Sequence, residues 1–384
     1  MSGFLCVRTV LNRQTHNKAF KTYFCLMSTN FSYDQLFNFS KNIFLKIGCS
    51  DADAITASQS LLSADLRGVD SHGVARLSGY IRLWEVQRVN AKPTFKIVHE
   101  TPSTGVVDGD RGLGLVVAPF AMQVAISKAK QVGTGWVSVK NSNHFGIAGH
   151  HAMMALQEDM IGIAMTNASA LVAPTFSSER MLGTNPIAVA IPAGKEPAFV
   201  ADFTTTTAAN GKLEILQRKN EAMPLGWALT KEGEPSTDAN EIKNGGSLLP
   251  LGGDKEHGSH KGYALGAIAD IFSGILSGAN YGPWVPPFPA YLPMPESMPG
   301  EGIGHFFGAM RIDAFRTADE FKEHMDKWIS RFRTAKTIKG EKRVLIPGDP
   351  EREMEIERMK TGIPLLPAVV EDLKVLGDKF KVSF

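Results

Sequence analysis

Residues 105–130 read GVVDGDRGLGLVVAPFAMQVAISKAK, and the fold turns on how this stretch is taken. A short β-branched run at 105–107 meets Gly109, Gly112 and Gly114, and a helical pattern opening at Pro119 follows to Lys130. Strand, glycine turn and helix make the opening of a nucleotide-binding α/β unit. The glycine spacing, however, is G-x-x-G-x-G, and no acidic residue stands about twenty positions on to hold a ribose hydroxyl. The doubly wound dinucleotide fingerprint is therefore absent. No G-x-x-x-x-G-K-[ST] run occurs either, which excludes a P-loop. Read alone, the three glycines are turn residues.

Downstream, the same character continues. Apolar runs at 135–139, 161–165, 187–191, 198–200 and 305–312 read as strands, and 208–217 and 262–276 read as helices. Upstream it changes. Ser32 with Gln35 forms a capping box for a helix carrying Phe37, Ile43, Phe44 and Ile47. Asp51 or Asp53 can cap a second helix to Leu66, and Val74, Leu77, Ile81 and Trp84 line one face of a third. Thr317 with Glu320 opens another helix, and 349–384 reads as two more. Helical ends around an α/β centre point to one discontinuous helical domain built from both termini.

Composition bounds the function. Forty-one Lys and Arg against 39 Asp and Glu leave a net charge of +2, with no electrostatic footprint for nucleic acid or an anionic membrane. The most apolar stretch, 262–278, is broken by Asp270 and by glycines, so no spanning helix is expected. Cys6, Cys25 and Cys49 have no zinc or redox spacing and suit a reducing compartment. The first thirty residues carry Arg8, Arg13, Lys18 and Lys21 and no acidic residue, as a mitochondrial transit peptide does. The other reading is an extension ahead of a start at Met27, which leaves the chain cytoplasmic.

Chemistry concentrates in polar, glycine-flanked turns. In Asp70-Ser71-His72-Gly73, with Arg76 four residues after His72, an imidazole and a guanidinium suit a 2-oxo or 2-hydroxy acid. Arg76 would grip the carboxylate in a fork while His72 handles the proton on the neighbouring oxygen. The alternative is that Asp70 and Ser71 only cap a helix. His144, in the turn after the strand ending at Val139, is a second acid/base candidate. His150 with His151, and His257 with His260, lack the spacing of a zinc site, so no metal is expected. Lys261 at a helix start suits a phosphate, and Asp202 with the threonines from Thr204 suits phosphate or ribose oxygens; ordinary capping explains both equally.

Taken together and in order, Asp70-Ser71-His72-Gly73 with Arg76, Ser142-Asn143-His144, Thr166-Asn167, Gly183-Thr184-Asn185-Pro186, Gly211-Lys212-Leu213-Glu214, His260-Lys261-Gly262 and Gly362-Ile363-Pro364-Leu365 strongly resemble the type-2 malate/L-lactate dehydrogenase family. The likeness runs over about residues 33–380. It implies an L-sulfolactate dehydrogenase-like, non-Rossmann fold: a central mixed-sheet α/β domain with a discontinuous helical domain, in a homodimer. The implied division is an extension over 1–30, helical parts over 31–100 and 316–384, and an NAD(P)-binding α/β domain over 101–315. His72 and His144 match the family's acid/base positions, and Ser71 and Arg76 its substrate contacts. Asp202, Phe203, Thr204, Lys261, Gly348, Asp349 and Pro350 match segments contacting the dinucleotide, NAD or NADP. Some relatives have a serine where this chain has Ala168. The implied reaction moves hydride between nicotinamide and C2 of a small 2-hydroxy or 2-oxo acid, malate/oxaloacetate first and L-lactate/pyruvate next. The alternatives are a cyclic imino acid reductase and a catalytically silent binding protein.

Overall fold

The computed structural model describes residues 29–384. Cys6, Cys25 and all but the last two residues of the expected N-terminal extension lie outside the described residues, and with them the targeting reading. Strand β1 (Thr29–Phe31) pairs antiparallel with β12 (Ile363–Leu365), tying the two ends of the described chain together. Helix α1 (Tyr33–Lys46) is capped by Ser32, whose hydroxyl accepts the Gln35 N–H at 3.1 Å. Helix α2 (Asp51–Leu66) is capped one residue earlier than expected. Ser50 Oγ accepts the Asp53 N–H and donates to Asp53 Oδ2 at 2.7 Å, so Asp53 completes the cap from inside the helix. A single 3₁₀ turn at Val74–Arg76 leads into α3 (Leu77–Glu85).

The α/β part follows as β2 (Lys96–Glu100), β3 (Thr104–Asp108), α4 (Gly114–Val132), β4 (Thr134–Ser142), α5 (Ala148–Met153), β5 (Met160–Thr166), β6 (Ile187–Ile191) and β7 (Phe199–Phe203). Then come α6 (Asn210–Lys219), a small sheet of β8 (Ala228–Leu229), β9 (Pro235–Ser236) and β10 (Ser247–Leu248), α7 (Ser259–Asp270) and β11 (Ile303–Arg311). Helices α8 (Ala318–Arg333), α9 (Asp349–Thr361) and α10 (Pro367–Phe380) close the chain. The main sheet has seven strands in the order β2-β3-β4-β11-β5-β6-β7. It is mixed: β3 and β4 are parallel and every other pair is antiparallel. The last of these strands in sequence, β11, lies in the middle, so its residues reach loops on both sides.

Helix α4 starts at Gly114, a turn and a half ahead of the expected opening, and holds Pro119 inside it. Proline lacks the N–H that would bond the carbonyl of Leu115. Ser60 of α2 supplies the missing donor, its hydroxyl meeting Leu115 O at 3.0 Å. The helix continues through the proline because another element satisfies the carbonyl it leaves open.

Two large cores result. One joins Leu36, Phe44, Leu61, Leu77 and Tyr80 to Ile363, Leu365, Leu373 and Leu376, so the first three helices share one interior with the C-terminal tail. Each such side chain, fully buried, contributes about 1.5–3 kcal/mol over its exposed state. The other sandwiches the alanine face of α4 (Ala118, Ala121, Ala125) against β4 and β11. Helix α8 belongs to neither. Its Asp326 accepts the N–H groups of Gly194, Lys195 and Glu196 and its Trp328 ring meets Phe199 at 6.0 Å, placing it on the β7 edge, while its Arg333 reaches Asp349 at the start of α9 at 2.8 Å. Among the described residues no helix is long and apolar enough to cross a membrane.

Candidate active site

The loop between α2 and α3 carries Ser71, His72 and Arg76, and three buried groups fix it. Asp65, near the end of α2, accepts the Val74 N–H at 2.8 Å, and Gly73 lies so close that a Cβ there would run into the carboxylate. Arg358 of α9 bonds both the Asp65 carbonyl and the Asp70 carboxylate. Burial pushes the Asp65 carboxyl up to about 8, with Asp70 adding to the rise and the Val74 N–H and Arg358 opposing it.

The second loop, 141–146, follows β4 and lies across the quoted glycine run. Asn143 Nδ2 donates to the carbonyls of Arg111 and Gly112 at 2.9 and 3.0 Å. A Cβ on Gly114 would collide with the carbonyls of Asn143 and His144. That glycine is required so the start of α4 can approach the His144 turn.

Between the loops the two imidazoles stack, His72 on His144, with centroids 5.5 Å apart and planes 27° from parallel. Ser71 Oγ lies 2.9 Å from His72 Nδ1, and the Tyr80 hydroxyl 2.7 Å from His144 Nδ1. The Gly146 N–H also points at that nitrogen, at 3.4 Å; since an amide only donates, His144 Nδ1 holds the lone pair and its proton sits on Nε2. Each ring thus has Nδ1 engaged and Nε2 to offer. Burial pushes His72 down to about 4, helped by Arg76. Burial lowers His144 well below the ordinary histidine value, helped by His72 and Arg76. Both rings are neutral at pH 7.

Arg76 donates from Nε to the Ser71 carbonyl at 2.6 Å and lies over the Phe288 ring at 5.6 Å. Phe288, from the proline-rich 283–299 segment, also meets His144 at 4.9 Å and Tyr80 edge-on at 5.4 Å. Gly211, at the start of α6, comes against Ser71. Tyr80 and Phe288 were missed in the sequence reading. Tyr80 had a signal, standing four residues after Arg76 on the same helix face; Phe288 had none, because only the fold returns its segment to the site.

Of the residues expected at the dinucleotide, Asp202 and Phe203 end β7 and Thr204 follows it, and the 347–348 turn runs beside that strand through the bond from Val200 N to Pro347 O at 3.0 Å. Gly348, at φ +95°, sits with its Cα face against Val200. Asp202 accepts the Gly149 N–H at 2.7 Å, capping α5. Its side chain is ringed by protein yet open to water, as at the floor of a cleft, and this enclosure raises its pKa to about 6 against the opposing Gly149 N–H and nearby Arg67. Asp349 is buried under Arg333 and Arg352 and accepts the Ile346 N–H, while Pro350 is exposed. Lys261 stands exposed in the first turn of α7, whose Gly266 packs on Thr205. His151 is absorbed by the core, where it bonds the Phe145 carbonyl, and His257 pairs with Asp254 at the surface. Among the described residues no group of three or more acidic, histidine or cysteine side chains is placed to hold a metal ion.

Residues 31–374 match the family described as Malate/L-lactate dehydrogenase. The chain is 42% identical over 351 residues, covering 91% of it and 95% of its relative, to a malate dehydrogenase of Pyrococcus horikoshii. It is 37% identical to the L-sulfolactate dehydrogenase of Methanocaldococcus jannaschii, covering 89% of this chain and 94% of that one. The solved malate dehydrogenase of Entamoeba histolytica superposes with a TM-score of 0.86 at 34% identity, over 93% of this chain and 99% of that one. The mixed sheet with its helical partner is thus the architecture of malate and sulfolactate dehydrogenases, and the chain belongs to the malate/L-lactate dehydrogenase family as a 2-hydroxy acid dehydrogenase.

Proposed function

We propose that the enzyme interconverts malate and oxaloacetate, using NAD in preference to NADP. The observation that carries this reading is the stacked His72–His144 pair with the Arg76 guanidinium beside it. Arg76, with Nε committed to Ser71, offers its terminal nitrogens to the C1 carboxylate, which a planar fork grips in two places. One imidazole returns a proton to the C2 oxygen on reduction and removes it on oxidation, while the other orients that oxygen. Tyr80 holds His144 with Nε2 directed to the substrate side. Relatives named for malate and for sulfolactate support a second anionic group on the substrate.

A nicotinamide cofactor, bound, supplies or accepts the hydride. The residues fit it: the open Asp202–Phe203–Thr204 strand end, the Gly348 turn beside it, and the exposed ammonium of Lys261 for a phosphate. Asp349, neutralised by two arginines, and Pro350 hold the shape of that turn. A carboxylate such as Asp202 near a ribose accepts hydroxyls and repels a 2′-phosphate, which favours NAD. A homodimer suits the exposed apolar row Ile268, Ile271, Phe272, Ile275 and Leu276.

The test is oxaloacetate reduction by NADH in the parent, His72→Ala and His144→Ala. Removal of a general acid/base should lower kcat about a hundredfold or more in at least one variant. NADH binding, read by fluorescence, should persist in both. Activity above a tenth of the parent in both variants would sink the assignment.

A further inference from the structure

Behind the two stacked imidazoles lies a third that no substrate can reach. His305, on the central strand β11, is wholly buried, and both of its ring nitrogens are engaged: Nε2 with Ser142 Oγ at 2.8 Å and Nδ1 with Thr166 Oγ1 at 2.7 Å. Its ring stacks on Phe145 at 4.8 Å, 15° from parallel. Ser142 and Phe145 bracket the His144 turn. Thr166 ends β5 and leads into Asn167 and Ala168 on the other side of β11.

The carbonyls around Thr166 select the tautomer. Thr166 has a single hydroxyl hydrogen and faces two carbonyls, Asn167 O and Gly304 O, each at 2.9 Å. Carbonyls accept only, so Thr166 donates to one of them and receives the His305 Nδ1 proton. Nε2 then carries the lone pair and accepts from Ser142. Burial keeps the ring neutral at pH 7 by pushing it down to about 3. The Asn167 turn is itself rigid: its side chain spans Asp270, the Asn280 carbonyl and the Gly304 N–H, and Asn185 holds Ala168 N at 3.0 Å.

We infer that His305 is a positioning residue: its neutral imidazole is the strut that fixes the His144 turn at a set distance from the Asn167–Ala168 turn. This rests on the reading of His144 as a residue that meets the substrate. The strut crosses β11, joining the end of β4 that carries the His144 turn to the end of β5 that carries the Asn167–Ala168 turn. A purely structural histidine at this place would affect melting and leave turnover per folded molecule unchanged.

The experiment compares His305→Leu and His305→Gln in the full-length protein, with active concentration set by NADH titration. Leu fills the space and offers neither hydroxyl a partner, which breaks the link between them, whereas Gln carries one donor and one acceptor on a single carbon, as the imidazole edge does. His305→Leu should lower kcat about ten- to a hundredfold, with KM for NADH within about twofold of the parent, since small displacements of reacting groups cost rates of that order. The deuterium isotope effect from 4-deuterated NADH should rise in that variant, and Gln should recover most of the rate. If His305→Leu fails to fold, Ser142→Ala and Thr166→Val break the strut from its two ends. They should lower kcat in the same way and combine non-additively. Parental kcat in folded His305→Leu, or a Gln variant no better than Leu, overturns the inference. If His144→Ala is itself fully active, the reading of the site has failed instead, and the two failures are told apart.

Discussion

His72 and His144 owe their neutral form to their enclosure. Burial outweighs every other influence on both rings, Arg76 adds to it at each, and His72 adds to it at His144 because a second positive charge there is unfavourable. The sign follows for the reaction. Oxidation of a hydroxy acid needs a neutral imidazole, so it is supported at every pH above the histidine pKa and lost below it. Because His72 lies near 4 and His144 is also depressed, kcat/KM for malate oxidation should stay level from pH 8 down to about pH 5.5. An acid limb centred near 6.5 in that profile would show that the working histidine is not enclosed. Reduction needs the protonated ring and should fall as pH rises over the same interval.

At the scale of elements, α4 shows how one helix serves the site through defects in its own pattern. Pro119 frees the Leu115 carbonyl, Ser60 closes it, and Gly114 lets the first turn slide under the His144 loop. The Ser60 bond is buried, so Ser60→Ala strands a carbonyl and should cost about 1–3 kcal/mol in urea unfolding. Restoring the helix's own donor with Pro119→Ala should make Ser60 dispensable. The Ser60→Ala, Pro119→Ala double variant should therefore be more stable than the two single effects sum to. Additive losses would mean that Ser60 acts on something other than the proline gap.

At the scale of the whole molecule, the surface left by folding is uneven. Ile268, Ile271, Phe272, Ile275 and Leu276 are each more than a third exposed, and they recur at helical spacing through α7 and the π-turn after it. Contiguous apolar surface of this kind on a folded chain is what self-association covers. Sedimentation or light scattering should give twice the chain mass, and Ile275→Asp, which places a charge in the row, should shift the protein towards the monomer. A monomeric parent would leave this row without that role.

The amino-acid sequence by itself determined the local elements and the identity of the chemistry. Helical periodicity, the Ser32 cap and the β-branched runs are properties of neighbours in the chain, and the elements at 33–46, 134–142 and 160–166 form where they were expected. The motifs around His72 and His144 were also legible, since a polar histidine in a glycine-flanked turn is a local signal. Only the tertiary structure decided what those histidines touch. Phe288 and His305 reach the site from more than 140 residues downstream of His144, and β11 enters the centre of the sheet between strands it follows by far in sequence. Helix α8 went to the sheet edge for the same reason: Asp326 found three unpaired N–H groups at 194–196 there. A local pattern states that a face is apolar or a donor is free; which distant group satisfies it is settled by packing the whole chain.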